Sequence, residues 1–161
     1  MTRRASEFVE FATTDPSDVV VWMDRIAAAH DGWVNFHPDV RPEDEPPPPS
    51  SLSVLLAGVT HPVPVGTWVA GKPARGEVGD DSIGIQHAQG TRVLARLTAA
   101  GAGLPEGWRL VQDHPRRGLI VAPSPDAGHH AMVTWLLEAC AVLSAVRLTG
   151  SWHAEVFPPA A

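Results

Sequence analysis

The sequence has very little cysteine, no tyrosine and almost no lysine. Cys140 is the single cysteine among 161 residues, which excludes an internal disulfide and a cysteine-rich zinc site. No apolar run approaches the roughly 20 residues that a membrane-spanning helix needs. The first ten residues hold two arginines but lack the continuous apolar region of a signal peptide. We therefore predict a cytoplasmic protein with no membrane partner.

The charge balance argues against nucleic acid as a partner. The formal net charge is −6, and the twelve basic residues are Lys72 and eleven arginines. Such a chain has no broad basic surface to neutralise phosphates. Its length suits one domain that buries roughly 70% of the surface exposed by the unfolded chain. We predict a single domain over 1–161, with an N-terminal half at 1–75 and a C-terminal half at 82–157.

Hydrophobic periodicity predicts the elements of the N-terminal half. They are a strand at 6–12, a helix at about 16–30, and strands at Trp33–Phe36, Leu52–Val59 and Val65–Ala70. Residues 38–51 carry six prolines and four acids, which favours an extended, exposed, proline-rich loop. Residues 71–81 are predicted to form a second loop.

The C-terminal half follows the order β-α-β-β-α-β. The predicted strands are Ser82–His87, Trp108–Asp113, Leu119–Ala122 and Trp152–Phe157, and the predicted helices are Thr91–Ala100 and Ala127–Leu143. This order is typical of the ferredoxin-like fold, in which one antiparallel sheet has both helices on one face. The fold class is therefore α+β, with a ferredoxin-like core at about 82–157 and an N-terminal β-α-β-β extension.

Two similar segments suggest an internal duplication. Residues 32–38, GWVNFHP, follow the first helix much as residues 107–115, GWRLVQDHP, follow the second. A degenerate repeat explains the match, and so does coincidence between two short motifs. The sequence also leaves open whether the two halves form one sheet or two.

The ferredoxin-like topology brings several polar side chains to one end of the predicted sheet. These candidate ligand-binding residues are His87, Thr91, His114, Arg116, Arg117 and His153. Arginine forks match carboxylate or phosphate, and the predicted helix start at Gly90–Thr91 would attract an anion. The sequence therefore predicts binding of an anionic small molecule, although strand alternation places the histidines on different faces.

The stretch from His114 to Gly118 also has the composition of a simple hairpin turn. Proline comes early and glycine last, where a positive φ is needed. Asp113 is placed to cap this turn or to orient a histidine, and exposed arginines at a hairpin are often only solvated. The turn and the binding site stay open as alternatives.

Other chemistry has less support in the sequence. A metal site formed by His87, His114 and His153 is geometrically conceivable, but no histidine pair has the spacing of a helical metal site. We predict no metal and name no cofactor. Cys140 lies within an apolar helical stripe, which favours a place in the core.

Parts of the C-terminal half, SIGIQHAQGTRVLARL, GWRLVQDHPRRGLIV and LTGSWHAEVF, resemble small uncharacterised proteins of high-GC Gram-positive bacteria. This resemblance implies no activity. Three functions stay open: binding of an anionic small molecule, an enzyme with histidine acid–base chemistry at the same place, with Glu155 beside His153, and a scaffold whose exposed sheet face forms a homodimer.

Overall fold

The computed structural model describes residues 5–57 and 60–159. The strands are β1 (Glu7–Ala12), β2 (Trp33–Val40), β3 (Val65–Val69), β4 (Pro73–Ala74), β5 (Glu77–Val78), β6 (Ser82–Gln86), β7 (Arg109–His114), β8 (Gly118–Ala122) and β9 (Leu148–Phe157). The helices are α1 (Ser17–Ala29), α2 (Ser51–Ala57), α3 (Val93–Ala99) and α4 (His129–Leu143). None of the helices in the described ranges is both long enough and apolar enough to cross a membrane.

Both halves of the chain contribute to one antiparallel sheet of seven strands. The strand order is β1-β9-β2-β3-β6-β8-β7, and β4 pairs with β5 in a separate two-stranded ribbon. The order contains the same arrangement twice. Strands β1 and β2 flank β9, just as β6 and β7 flank β8, and a single helix joins the two flanking strands in each case.

The mixed α+β class is confirmed, but the ferredoxin-like core is not. In that fold the last strand would pair with the first, so β9 would lie beside β6. Instead β9 pairs with β1 and β2, and β2 and β3 separate it from β6. Both neighbours of β9 come from the N-terminal half, and β9 pairs with β1 along one edge and with β2 along the other.

One predicted strand is wrong. Residues 52–57 of the strand expected at Leu52–Val59 lie in α2, and residues 58–59 lie outside the described residues. Ser50 starts this helix, because its Oγ accepts a hydrogen bond from the backbone N–H of Ser53 at 3.1 Å. The segment SLSVLLA contains Val54 as its one β-branched residue, so local preference favours the helix. The side chains of Leu52, Leu55 and Leu56 are exposed.

The two predicted loops are shorter than expected. Strand β2 continues to Val40 through Pro38, which lies beyond the last residue that pairs with β3 and pairs only with β9. A proline is tolerated there because one side of the strand is unpaired. The segment 71–81 contains the β4–β5 ribbon, whose turn uses positive φ at Arg75 and Gly76.

Helices α1, α3 and α4 cover one face of the sheet, which we call the covered face. At its centre α4 packs directly on β3, since a Cβ on Gly66 would lie only 2.6 Å from Cδ2 of Leu136. Cys140 is fully buried in α4, as predicted, and burial raises the pKa of its thiol far above the usual range. The largest buried side chains are Trp68, Trp152, Phe36, Met23, Ile26, Ile83, Ile85, Leu97, Leu119, Leu136, Leu137 and Leu143.

The opposite face of the sheet, which we call the open face, carries no helix among the described residues. The strand registers define one row of residues straight across it: Phe8, Glu155, Asn35, Thr67, Gly84, Ile120 and Gln112. Thr67 donates a hydrogen bond to Oδ1 of Asn35 within this row at 2.9 Å. Beside the row, Trp33 and Phe157 stack with ring centroids 4.5 Å apart. The open face is therefore a mixed surface of apolar and polar groups.

Candidate functional site

The hairpin between β7 and β8 has the turn chemistry expected from its sequence. Gly118 has φ +80°, as predicted for the last turn residue. Nδ1 of His114 accepts hydrogen bonds from the backbone N–H groups of Arg116 and Arg117, both at 3.1 Å. One ring nitrogen of His114 therefore stabilises the turn. The side chains of Arg116 and Arg117 are exposed.

The start of α3 is already bonded to a carboxylate of the protein. Asp113, at the end of β7, accepts hydrogen bonds from the N–H groups of Val93 at 3.3 Å and Leu94 at 3.1 Å. The helix begins at Val93, not at Thr91, and Thr91 is exposed. The N–H groups that were expected to attract an anion are thus occupied by Asp113, which caps α3 instead of the hairpin turn.

His87 is the one buried polar side chain among the described residues, with 4% of its surface exposed. Its Nδ1 accepts a hydrogen bond from the backbone N–H of Gln89 at 3.2 Å, so the neutral ring carries its proton on Nε2. Burial lowers the pKa of His87, the charge of Asp113 raises it in part, and His61 lowers it further. The ring is therefore neutral near pH 7.

Nε2 of His87 has no hydrogen-bond partner within the described part of the chain. A buried donor without an acceptor costs about 1–3 kcal/mol, and such groups are rare in folded proteins. The end of β6 therefore contains a preformed donor that lacks an acceptor.

The segments that adjoin this end of β6 contain several arginines. Arg96 of α3 donates a hydrogen bond to the side chain of Gln89, and Gln89 donates to the carbonyl of Leu143 at 3.1 Å. On the other side, Nε2 of Gln86 donates to the carbonyl of Arg117 at 3.4 Å, which fixes the hairpin beside β6. Arg92, just before α3, adopts a left-handed backbone with φ +58°.

Arg92, Arg116 and Arg117 form no ion pair with a carboxylate in residues 5–57 or 60–159. Five of the six predicted site residues, His87, Thr91, His114, Arg116 and Arg117, come from segments that adjoin the end of β6.

His153 lies apart from this group, which corrects the predicted common edge. It is on the open face of β9, whereas His87 is buried on the other side of the sheet, and three strand spacings, roughly 14 Å, separate β9 from β6. Instead, His153 stacks on His37 of β2 with ring centroids 4.9 Å apart. Its Nδ1 lies 3.4 Å from Oδ1 of Asp39. Two causes separate these residues: β2 and β3 lie between β9 and β6, and strand alternation places His153 and His87 on opposite faces of the sheet.

The neighbours of His37 keep its imidazole neutral. Burial lowers the pKa of His37 and the adjacent His153 lowers it further, while the carboxylate of Glu155 acts in the opposite direction. Glu155 does share a strand face with His153, as predicted. Asp39 also borders a cavity of about 590 Å³ formed by the proline-rich loop, which is further lined by Glu45, His61 and Pro46–Pro49.

A second histidine cluster, which the sequence did not reveal, joins three elements at the opposite end of β6. Nδ1 of His129, the first residue of α4, lies 2.6 Å from Oδ1 of Asp24 in α1, and its Nε2 lies 3.5 Å from Oδ2 of Asp81. Asp81 also accepts hydrogen bonds from the indole of Trp68 at 3.1 Å and from the N–H of Gly71 at 2.8 Å. No sequence spacing relates these residues, so only the fold could reveal them.

This cluster holds opposite charges together. The hydrogen bond with Asp81 raises the pKa of His129, burial lowers it in part, and Asp24 raises it further. Burial pushes the pKa of Asp81 up, but hydrogen bonds from His129, Gly71 and Trp68 outweigh burial, so the pKa ends below its ordinary value. Both ring nitrogens face carboxylates, so the cluster works as an ionic clamp between α1, α4 and the start of β6.

The clamp predicts a pH-dependent stability that His129→Gln removes. Because the pKa of His129 is higher in the folded chain than its ordinary value of 6.5, its contribution is complete below about pH 6.5. It is lost as the pH rises through the raised pKa. We expect the difference in unfolding free energy between wild type and His129→Gln, from urea titrations at pH 5.5 to 9, to shrink as the pH rises.

The exposed neighbour His130 provides the control for this experiment. His130→Gln removes an imidazole from the same turn of α4 but leaves the contacts of His129 with Asp24 and Asp81 in place. The measurement compares each variant with the wild type at the same pH, because His37 and His87 have lowered pKa values and destabilise the fold below pH 6.5 in every one of these proteins. Their contribution cancels in the difference. A His129→Gln difference that is flat or grows with pH would rule out the clamp.

Two further results bear on the site. Within the described residues, no three histidine, cysteine or acidic side chains are arranged to hold a metal ion. Comparison with known proteins finds no matching family model, curated protein or solved structure. The resemblance to small proteins of high-GC Gram-positive bacteria therefore stays a prediction.

Proposed function

We propose that the protein binds an anionic small molecule at the end of β6. The proposed site combines the buried Nε2–H of His87 with arginines from the segments that adjoin the end of β6, namely Arg92, Arg96, Arg116 and Arg117. The observation that carries the proposal is the unpaired donor of His87. An acceptor atom of the ligand would remove the cost of this unmade hydrogen bond.

The arginines of the adjoining segments favour an anion as that acceptor. Of the nearby groups, Asp113 is the carboxylate, and its two oxygens are already bonded to the start of α3. The guanidinium groups of Arg116 and Arg117 are exposed and have no ion pair among the described residues, so a carboxylate or phosphate could bind both. His153 is not part of this site, because it lies on another strand and the other face.

The proposal is tested by anion binding to the full chain. We expect phosphate, pyrophosphate or citrate, added at constant ionic strength, to raise the melting temperature of the wild type. Arg116→Ala combined with Arg117→Ala should weaken binding measured by calorimetry at least about tenfold, because hydrogen bonds to charged groups contribute about 1.5–3 kcal/mol each. Native mass spectrometry of the gently purified protein would show any anion that it already holds.

The control removes the same charge elsewhere. Arg41→Ala combined with Arg147→Ala, two exposed arginines without ion pairs in the described chain, should leave the binding constant unchanged. The proposal fails if no anion binds the wild type, or if both double variants lose affinity equally. The latter outcome would indicate only a general effect of net charge.

We also propose that residues 82–157 are a ferredoxin-like unit opened by an insertion. The supporting observation is that β6, β8 and β7 keep the neighbours and directions of that fold, while β2 and β3 lie where β9 would pair with β6. The repeated arrangement of two flanking strands joined by a helix supports the internal duplication. A cytoplasmic location and the absence of nucleic-acid partners stay predictions from composition.

A further inference from the structure

The connection between β6 and α3, residues 87–92, is held in a conformation with two local costs. The Nε2–H of His87 is shielded from solvent and has no acceptor among the described residues. Arg92 has φ +58°, a left-handed backbone that is unfavourable for residues other than glycine. Such costs persist only where other contacts hold the backbone in place.

Gln89 provides such contacts, because its bonds reach three elements. Its backbone N–H donates to Nδ1 of His87 at 3.2 Å, its side-chain oxygen accepts a hydrogen bond from Arg96 of α3, and its Nε2 donates to the carbonyl of Leu143 at the end of α4 at 3.1 Å. The first of these bonds ties Gln89 to the end of β6. It lasts only as long as Nδ1 can accept.

The bond at Nδ1 is incompatible with a charged ring. A neutral imidazole has one donor and one acceptor nitrogen, whereas both nitrogens of the imidazolium are donors. Protonation would therefore point a new Nδ1–H at the backbone N–H of Gln89, with the two donor nitrogens 3.2 Å apart. The ring of His87 and the backbone of Gln89 must then separate.

The charged groups near His87 do not remove this conflict. The charge of Asp113 favours the protonated ring, but both oxygens of Asp113 are bonded to the start of α3, and the charge of His61 disfavours the protonated ring. In the last turn of α4, the titratable group is the buried thiol of Cys140, whose raised pKa keeps it neutral. The other charged or titratable side chains of the adjoining segments are Arg92, Arg96, His114, Arg116 and Arg117.

We propose that the connection at 87–92 is an acid-operated gate of the anion site: protonation of His87 breaks its bond with Gln89, opens the connection and exposes the Nε2–H donor to the ligand. The role of the gate rests on the proposed anion site, whereas the opening follows from the conflict at Nδ1 alone. In the closed state the donor is shielded, so binding includes the cost of opening. In acid the connection is already open and the ring adds a positive charge.

Amide hydrogen exchange of the full chain measures the opening without any anion. We expect the protection factor of the Gln89 amide to fall about tenfold between pH 8 and pH 5, because one hydrogen bond is lost. Burial and the charge of His61 lower the pKa of His87, against a smaller opposite effect of Asp113, so the fall should occur below pH 6.5. The nitrogen shifts of the His87 ring should titrate together with it.

Two asparagine variants separate His87 from the similar histidine of the hairpin. His87→Asn keeps an acceptor for the N–H two residues on but takes up no proton, so its Gln89 amide should stay protected throughout. Nδ1 of His114 also accepts from an N–H two residues on, and His114→Asn should leave the acid opening at Gln89 unchanged. A wild-type Gln89 amide that stays protected at pH 5, or one that opens equally in His87→Asn, would overturn the gate.

Sulfate, whose charge is constant over this range of pH, tests the link to the anion site. At constant ionic strength, we expect calorimetry to give at least about tenfold tighter binding at pH 5 than at pH 8 in the wild type, and a smaller change in His87→Asn. Equal sulfate affinity at both pH values would show that the gate is wrong while the anion site stands. Acid opening at Gln89 with no sulfate binding at either pH would show that the anion site, and with it the role of the gate, is wrong.

Discussion

Replacement of Asp81 by alanine should lower the free energy of unfolding by about 3 kcal/mol, since removing one partner of a buried charge pair typically costs 3–5 kcal/mol. The carboxylate of Asp81 is 21% exposed and holds three groups at once: the indole N–H of Trp68, the backbone N–H of Gly71 and the ring of His129. Trp68 is fully buried, so the variant would leave its indole donor without an acceptor. Urea denaturation at pH 6, where His129 is charged, measures the loss.

The neighbouring residue gives a matched control for this variant. Asp80 also forms an ion pair, with Nη2 of Arg109 at 2.8 Å, but both side chains are about half exposed or more. Asp80→Ala should therefore cost less than about 1 kcal/mol, as exposed pairs do. If the two variants lose similar stability, the contacts of Asp81 do not hold the start of β6 as described.

Introducing one methyl group at Gly66 should destabilise the protein by about 2 kcal/mol, within the range found for overpacked cores. A Cβ at this position lies 2.6 Å from Cδ2, 3.0 Å from Cγ and 3.1 Å from Cδ1 of Leu136. Leu136 is itself 1% exposed, so its side chain has little room to move away. Thermal and urea unfolding of Gly66→Ala measure the effect on the contact between α4 and β3.

Gly84 allows the same substitution on the other face of the sheet. It lies on β6 opposite Thr67, and the nearest atom to its added Cβ is 3.9 Å away. Gly84→Ala should leave stability unchanged or raise it by up to about 1 kcal/mol, because alanine restricts the unfolded chain. Gly66→Ala is expected to lower the free energy of unfolding and Gly84→Ala to leave it unchanged or raise it, because helices cover only the face on which Gly66 lies. A loss at Gly84 as large as that at Gly66 would show that something also packs on the open face.

Local patterns in the sequence predicted most elements of the fold. Strand alternation located β1, and the helical spacing of apolar residues located α1 and α4, because these signals depend on a few neighbouring residues. The strand predicted at Leu52–Val59 was wrong for a related reason. A short apolar run fits either a strand or a helix, and the local sequence does not show whether a partner strand is available for pairing.

The candidate site was predictable only in part. The end of β6 and the β7–β8 hairpin come together because β6 and β7 run in the same direction, so their carboxyl ends lie at the same edge of the sheet. The order of the elements along the chain already implies this. The position of His153 depended on which strand pairs with β9, and chain order does not fix that. The contacts of His129 with Asp24 and Asp81 cross 105 and 48 residues of sequence and leave no local signal.

The sequence alone determined the α+β class, the polar turn at His114–Gly118 with its positive φ at Gly118, and the burial of Cys140. These follow from residue size, polarity and backbone preference at each position. Only the tertiary structure decided that β2 and β3 enter between β6 and β9, that Asp113 caps α3, and that Nε2 of His87 lacks an acceptor. Each of these outcomes depends on pairing between distant segments, where many alternatives satisfy the same local preferences and packing of the whole core selects among them.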